Sequence, residues 1–249
     1  MLTDAELDRY ARQIILPAFG GAGQAKLKAA HVAIVGAGGI GCPAITYLAA
    51  AGVGKLTIID DDVVELSNLQ RQPLFTDADI GARKAVVAAN AAQRINPNVE
   101  AIAVAQRLDD GNATTLLDGA NLILDGCDNF ATRLAVNRAA VALQTSLLSA
   151  AIGAFEGQVA LYEGWRVGSP CYACLVGSDP AQDGINCAET GVMGALAGMI
   201  GTMAALEAVR ALTGWGSALT GRLAIVDMLD RRWREVAVAK DPECPICWG

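Results

Sequence analysis

Apolar positions along the chain fall in short runs set between helical patterns. An uninterrupted apolar run at 32–35, bounded by glycine, predicts a strand buried on both faces. Residues 40–51 are Ala-rich and predict a helix, and 56–59 predict a second buried strand ending at Asp60. The alternation continues with a helix over 82–95, a strand over 99–105 and a short helix around 112–117. A strand over 121–124, a helix over 131–143 and a strand over 146–152 follow. Strand and helix taking turns in this way place helices on both faces of a parallel sheet. From Gln158 the pattern changes. Residues 158–164 alternate as an antiparallel strand does, a long apolar helix spans about 192–212, and two strands are expected over 222–228 and 233–238. At the front, Thr3 and Glu6 form a capping-box signature for a helix that runs to about Leu16 and stops before Pro17.

Composition narrows the possibilities. The 249 residues are 53% hydrophobic and 18% charged, enough for a sizeable core. The net charge is −7 and no basic run is present, which argues against nucleic acid as a partner. His31 is the only histidine. One chain therefore cannot build a Ser-His-Asp triad, a Cys-His pair or a multi-His metal site, and the place of His31 before the first strand favours a structural role. The N-terminus is polar and amphipathic, unlike a signal peptide. Residues 190–206 carry no charge, but the stretch is short and interrupted by Gly191, Gly194, Gly198 and Gly201. A buried helix is expected there, with no membrane span and a cytoplasmic location.

Gly36, Gly38 and Gly41 follow the first strand in G-x-G-x-x-G spacing, and Asp60 ends the second. This is the pattern of a nucleotide-binding βαβ unit. Glycines let the backbone approach phosphate, the helix N-terminus favours the anion, and the acid accepts ribose hydroxyls. Beyond Asp60 come Asp61, Asp62, Glu65 and the segment SNLQRQPLF over 67–75. Asn68 and Gln70 offer hydrogen bonds there, and Arg71 a planar fork for phosphate. Lys84 sits in the first turn of a helix, where a cation opposes the dipole. An anion lying between Arg71 and Lys84 would explain both, and so would a solvated charged face. Asp125 and Asp128 lie at the carboxyl end of a strand, where ligands gather. One of them could hold Mg²⁺ on a triphosphate, or Asp128 could cap the next helix, in which Arg133 can pair with an acid. Arg9 and Arg12 are three apart and share a helix face. That face is either solvated or delivers an arginine to phosphate in a neighbouring subunit.

Seven cysteines divide into groups. Cys42 and Cys127 sit among small residues as packing groups. Cys171, Cys174, Cys244 and Cys247 form two C-x-x-C pairs whose spacing suits a closed, structural zinc site. Zinc there would tie the C-terminus back to the middle of the chain. Cys187 precedes the long helix and is either a nucleophile for an acyl or sulfur intermediate or an unreactive loop thiol. Asp183 and Glu189 nearby oppose a thiolate.

Taken together, RYARQIILP, GAGGIG, DDD, SNLQRQ, GARKA, DGCDNFATR and the paired C-x-x-C closely resemble the MoeB/ThiF/HesA group, bacterial relatives of ubiquitin-activating enzymes. The motifs cover nearly the whole chain in the family's order. The resemblance implies a Rossmann-like α/β fold, mainly parallel and continued by antiparallel strands, with a structural four-cysteine zinc site. It implies a single domain over 1–249, with a nucleotide-binding half over 1–155 and a zinc-bearing, carrier-binding half over 156–249. It further implies a homodimeric adenylyltransferase. ATP would lie at Gly36, Gly38, Gly39 and Gly41, with Gly39 close to phosphate and Asp60 on the ribose. Asn68, Arg71 and Lys84 would contact phosphates, with Ser67, Leu69 and Gln70 alongside. Asp128 would position Mg²⁺ beside Asn129, and Arg12 would reach the partner's site. The co-substrate would be a small ubiquitin-like sulfur carrier ending in Gly-Gly, activated for molybdopterin synthase. Activation of a thiazole sulfur carrier through Cys187 is the alternative. An NAD-dependent oxidoreductase and a non-catalytic carrier-binding scaffold are more distant readings.

Overall fold

A computed structural model describes residues 2–178 and 191–247. The chain begins with α1 (Asp4–Ile14) and α2 (Gly20–Ala29), then enters the sheet at β1 (His31–Val35). There follow α3 (Gly41–Ala51), β2 (Lys55–Ile59), α4 (Lys84–Ile95), β3 (Glu100–Val104), α5 (Ala113–Leu117), β4 (Leu122–Asp125), α6 (Phe130–Ala142) and β5 (Ser146–Ile152). The second half adds β6 (Glu156–Tyr162), α7 (Tyr172–Val176), α8 (Gly194–Thr213), β7 (Arg222–Asp227) and β8 (Arg232–Ala237). Among the described residues one sheet holds eight strands in the order β3-β2-β1-β4-β5-β6-β7-β8. The first five are parallel, and the antiparallel β6, β7 and β8 extend the same sheet.

Strands buried on both faces explain the unbroken apolar runs. Val32 and Ile34 point into one core layer with α2, α3, α4 and α8, and Ala33 and Val35 into another with α5, α6 and α7. Burial of each large aliphatic side chain, such as Ile34 or Leu124, contributes about 1.5–3 kcal/mol. Nothing in the local pattern announces α2, whose sequence GGAGQAKLKA has three glycines. Tertiary packing overrides that weak propensity: Leu27 and Gln24 are fully buried, and the Gln24 amide donates to the Ala51 carbonyl at 2.9 Å. The apolar helix α8 is long enough to cross a membrane, but in this fold it is a core helix against β5, β6, α2 and α3. Its glycines permit that packing; a Cβ on Gly201 would lie 2.3 Å from the Ile40 carbonyl oxygen.

His31 is structural. Its Nδ1 lies 3.1 Å from the Gly119 carbonyl and its Nε2 lies 2.8 Å from the Thr57 hydroxyl. A carbonyl only accepts, so Nδ1 carries the proton. Helix α1 docks through buried Tyr10, whose hydroxyl accepts from the Asn96 amide at 2.7 Å. The Gln13 amide donates to the Ala51 carbonyl at 3.2 Å. These bonds seat α1 against the carboxyl ends of α3 and α4.

The capping box forms as the sequence anticipates: Thr3 accepts from the Glu6 amide, and Glu6 accepts from the Thr3 amide. Glu6 also holds Lys28 of α2 at 2.7 Å. The Lys28 ammonium and then the Thr3 amide draw the Glu6 carboxyl down to about 2 from 4.5. A carboxyl depressed on folding stabilises above its unfolded value, and that contribution drains away as pH falls toward the folded one. Urea unfolding of the wild type should therefore weaken steadily from about pH 5 to about pH 2. Glu6→Gln should flatten that part of the profile; equal slopes in the two proteins would contradict the assignment.

Candidate active site

The strand order reverses between β1 and β4, and a cleft of about 590 Å³ opens there at the carboxyl ends of the strands. Two glycines shape its floor. Gly36 has φ +92°, and a Cβ on it would press on the Gly126 backbone at 3.1 Å. A Cβ on Gly41 would fall 2.0 Å from the Gly36 carbonyl oxygen, so only glycine lets α3 start this close to β1. The N-terminus of α3 faces the cleft with its partial positive charge.

Around this floor the cleft gathers Gly36, Gly38, Gly39, Asp60, Asn68, Arg71, Lys84, Asp128 and Asn129. The Asp60 carboxylate accepts from the Ala37 amide at 2.7 Å and the Asp62 amide at 2.9 Å. Burial nevertheless pushes its carboxyl above the ordinary value. Lys84 is the first residue of α4 and is only 6% exposed, so a solvated charged face does not account for it. Its Nζ lies 2.9 Å from Asp62 Oδ2, on a carboxylate that is itself largely exposed. One guanidinium N–H of Arg71 donates to the Ser67 carbonyl at 3.0 Å. Asn68 Oδ1 and Gln72 Oε1 are buried and have no hydrogen-bond partner among the described residues. Gln72 closes the SNLQRQ motif and lines the cleft, which its place in the sequence alone did not single out.

The two aspartates after β4 separate in role. Asp125 is buried and pairs with Arg133 at 3.2 Å. Asn129, not Asp128, caps α6, its side chain accepting from the Thr132 amide at 2.9 Å. The capping explanation for Asp128 therefore falls away. Its exposed carboxylate takes part in no hydrogen bond or ion pair among the described residues and borders the cleft. One free carboxylate and two orphaned amide oxygens line the same cleft, oxygen donors of the kind a magnesium–phosphate unit takes.

Other candidate residues lie elsewhere. Gly41 is behind the turn, Leu69 packs on the core, and Ser67 and Gln70 are exposed outside the cleft lining. Arg12 is exposed near the end of α1. Helix α1 meets the carboxyl end of α3, while the cleft is at its amino end. The 11 residues of α3 separate the two by about 16 Å.

The sulfurs of Cys171, Cys174, Cys244 and Cys247 lie within 4.8 Å of one another. Pairs stand at 3.4 Å, 3.7 Å and 3.9 Å. A tetrahedron with zinc–sulfur bonds of about 2.3 Å has edges of about 3.8 Å, so the four thiols fit zinc. The Asn137 amide donates to Cys171 Sγ at 3.4 Å, supporting one ligand from outside the set. Cys42 is buried, which pushes its thiol up to about 12. Cys127 donates to Asp125 at 2.8 Å, and burial pushes its thiol well up. Both are packing groups. Cys187 lies outside the described residues.

Fold and cleft together define a doubly wound α/β protein with an open cleft at its topological switch point. The chain belongs to the ThiF family, whose sequence profile matches residues 10–246. It is 44% identical over 249 residues to the sulfur carrier protein adenylyltransferase of Thermus thermophilus, covering 98% of this chain and 92% of that protein. It is 42% identical over 246 residues to the molybdopterin-synthase adenylyltransferase of Salmonella typhimurium, covering 99% and 98%. The fold resembles that of Escherichia coli MccB solved with ATP, with TM-score 0.84, 22% identity, and coverage of 97% of this chain and 75% of that one.

Replacing Cys244 by Ser should remove bound zinc, measured by elemental analysis. It should lower the melting temperature by roughly 5–10 °C, equivalent to a loss of about 2–3 kcal/mol at this chain length. Unchanged zinc content and melting temperature would remove the metal from the structural account.

Proposed function

We propose that the chain adenylates the C-terminal carboxylate of a small ubiquitin-like sulfur carrier ending in Gly-Gly, with ATP as donor. The observation that carries this reading is the convergence of Arg71, Lys84 and the free Asp128 around the glycine turn. Near-full-length identity to adenylyltransferases of sulfur carriers and of molybdopterin synthase supports it. Activation for molybdopterin synthase is the favoured role. The slightly higher identity to the Thermus enzyme keeps other sulfur carriers, including the thiazole type, within the reading.

In this mechanism a carboxylate oxygen attacks the α-phosphorus of ATP. The bond from that phosphorus to the bridging oxygen breaks, giving an acyl-adenylate and pyrophosphate. A terminal carboxyl is already ionised at neutral pH, so the reaction needs no general base, which suits a chain with one structural histidine. Two anions must be brought together while charge builds on phosphate oxygens, so positioned cations dominate the catalysis. Arg71 and Lys84 supply them. Lys84 exchanges Asp62, whose carboxylate is largely exposed, for phosphate, so the buried ammonium keeps an anion throughout. Asp60 receives the ribose hydroxyls and the glycine-turn amides receive phosphate oxygens. Asp128 holds Mg²⁺, which when bound neutralises charge on the triphosphate.

The cleft continues beyond this centre into the 156–249 half, past Gln158, Ala160, Tyr162 and Leu223. That extension would accept the carrier's tail. Arg12 would come from a second copy in a homodimer, a reading favoured by its separation from the cleft of its own chain. The four thiols need a reducing compartment, which favours the cytoplasm. An NAD-dependent oxidoreductase would leave Arg71, Lys84 and Asp128 together without a purpose.

ATP–pyrophosphate exchange with a panel of Gly-Gly-ending carriers tests the reading. Arg71→Ala and Arg12→Ala should each slow exchange about 10²–10³-fold, or about 2.7–4 kcal/mol, with folding intact. Asp128→Ala should abolish Mg²⁺-dependent exchange at Mg²⁺ levels that saturate the wild type. Absence of exchange with every carrier from folded, zinc-loaded protein would reject the proposal. If Arg12 acts across the dimer, mixing the two inactive arginine variants should restore about a quarter of wild-type activity through mixed dimers. No recovery on mixing would return Arg12 to a local role.

A further inference from the structure

Arg133 is the partner of Asp125, yet among the described residues its side chain makes four hydrogen bonds beside the cleft. It is 7% exposed and lies one turn into α6. One terminal nitrogen donates to Asp125 Oδ2 at 3.2 Å and to Ser149 Oγ at 3.0 Å. The other donates to the Ala150 carbonyl at 2.9 Å and to the Cys127 carbonyl. The guanidinium also lies 6.0 Å from the centre of the Tyr172 ring, within cation–π range. One planar group therefore joins the end of β4, the loop after it, the middle of β5 and the wall formed by α7.

The bond to the Cys127 carbonyl falls on the residue immediately before Asp128. On the other side, Asn129 is held by its cap on Thr132. Both neighbours of Asp128 are thus fixed, while its own carboxylate has no partner among the described residues and borders the cleft. With no hydrogen bond of its own, the Asp128 carboxylate takes its direction from the backbone that carries it and from the field of the nearby Arg133 guanidinium.

We propose that Arg133 is a positioning residue that holds the 126–129 loop so that the Asp128 carboxylate is presented to the magnesium–nucleotide unit. The inference rests on the adenylation reading and goes beyond it by giving a buried, non-ligating side chain of the cleft wall a part in the magnesium requirement. Lysine in its place keeps the charge beside Asp125 but lacks the planar fork that serves both strands and the loop. It leaves the buried carboxylate paired and so avoids the unpaired buried charge that alanine would create.

The test compares wild type, Arg133→Lys and Asp128→Ala as full-length, zinc-loaded proteins. Binding of Mn²⁺ in the presence of ATP is followed by electron paramagnetic resonance, and ATP binding without divalent metal by calorimetry. Arg133→Lys should weaken Mn²⁺ binding at least fivefold, in the direction of Asp128→Ala. Metal-free ATP affinity should stay within twofold of wild type, and the exchange reaction should need correspondingly more Mg²⁺. Should Arg133→Lys misfold, the Asp125→Asn/Arg133→Met pair, which removes both buried charges, is expected to show the same weakened Mn²⁺ binding. Wild-type metal affinity in a folded Arg133 variant, with Asp128→Ala impaired, would overturn the positioning role alone. Failure of the wild type to bind Mn²⁺ with ATP would overturn the adenylation reading and this inference with it.

Discussion

The tight approach of α3 to β1 is the contact on which the rest of this structure depends. The Gly36 carbonyl occupies the space where a side chain on Gly41 would begin. Any other residue at that point would push the helix away from the strand and with it the row of amides that faces the cleft. The same turn leans on Gly126, so the loops after β1 and β4 are pressed together where the strand order reverses. The cleft is a consequence of sheet topology, made usable by missing side chains.

The cleft holds its cations Lys84 and Arg133 close to carboxylates, one exposed and one buried. Lys84 is buried at the amino end of a helix, where the dipole opposes it, and the Asp62 carboxylate pairs with it while Asp60 lies within electrostatic reach. The Asp62 carboxylate is exposed and easily exchanged, so the lysine is held in place at modest cost. Arg133 follows the opposite rule. Its partners are buried and several, and removing one would strand another, which makes it a fixture of the fold.

Helix α6 links the two halves through side chains one turn apart. Arg133 holds the loop beside the cleft, and Asn137 supports Cys171 and accepts from the Tyr172 amide at 2.9 Å. Tyr172 in turn lies against the Arg133 guanidinium and the edge of Tyr162. The thiol cluster and the glycine-turn end of the cleft therefore share one rigid element. This continuity, together with the unbroken eight-stranded sheet, joins the chain on either side of residue 155.

Much of this was legible in the sequence, because burial on both faces imposes local signatures. The parallel strands read as short apolar runs, the glycine turn as its spacing, the capping box as Thr3 and Glu6, and the thiol cluster as two C-x-x-C pairs. What only tertiary structure decided concerns partners far apart in the chain. Helix α2 is stabilised by packing its local propensity does not reveal. Asp125 and Asp128 look alike in sequence; the first is taken by Arg133 and the second left free, because the α6 cap falls on Asn129. Lys84 could have been a surface charge until its burial was seen, and Gln72 had no signal beyond its place in a motif. The position of Arg12 at the far end of α3 likewise follows from where α1 docks. Local chemistry is written along the chain, but which polar group satisfies which is settled only when distant segments meet.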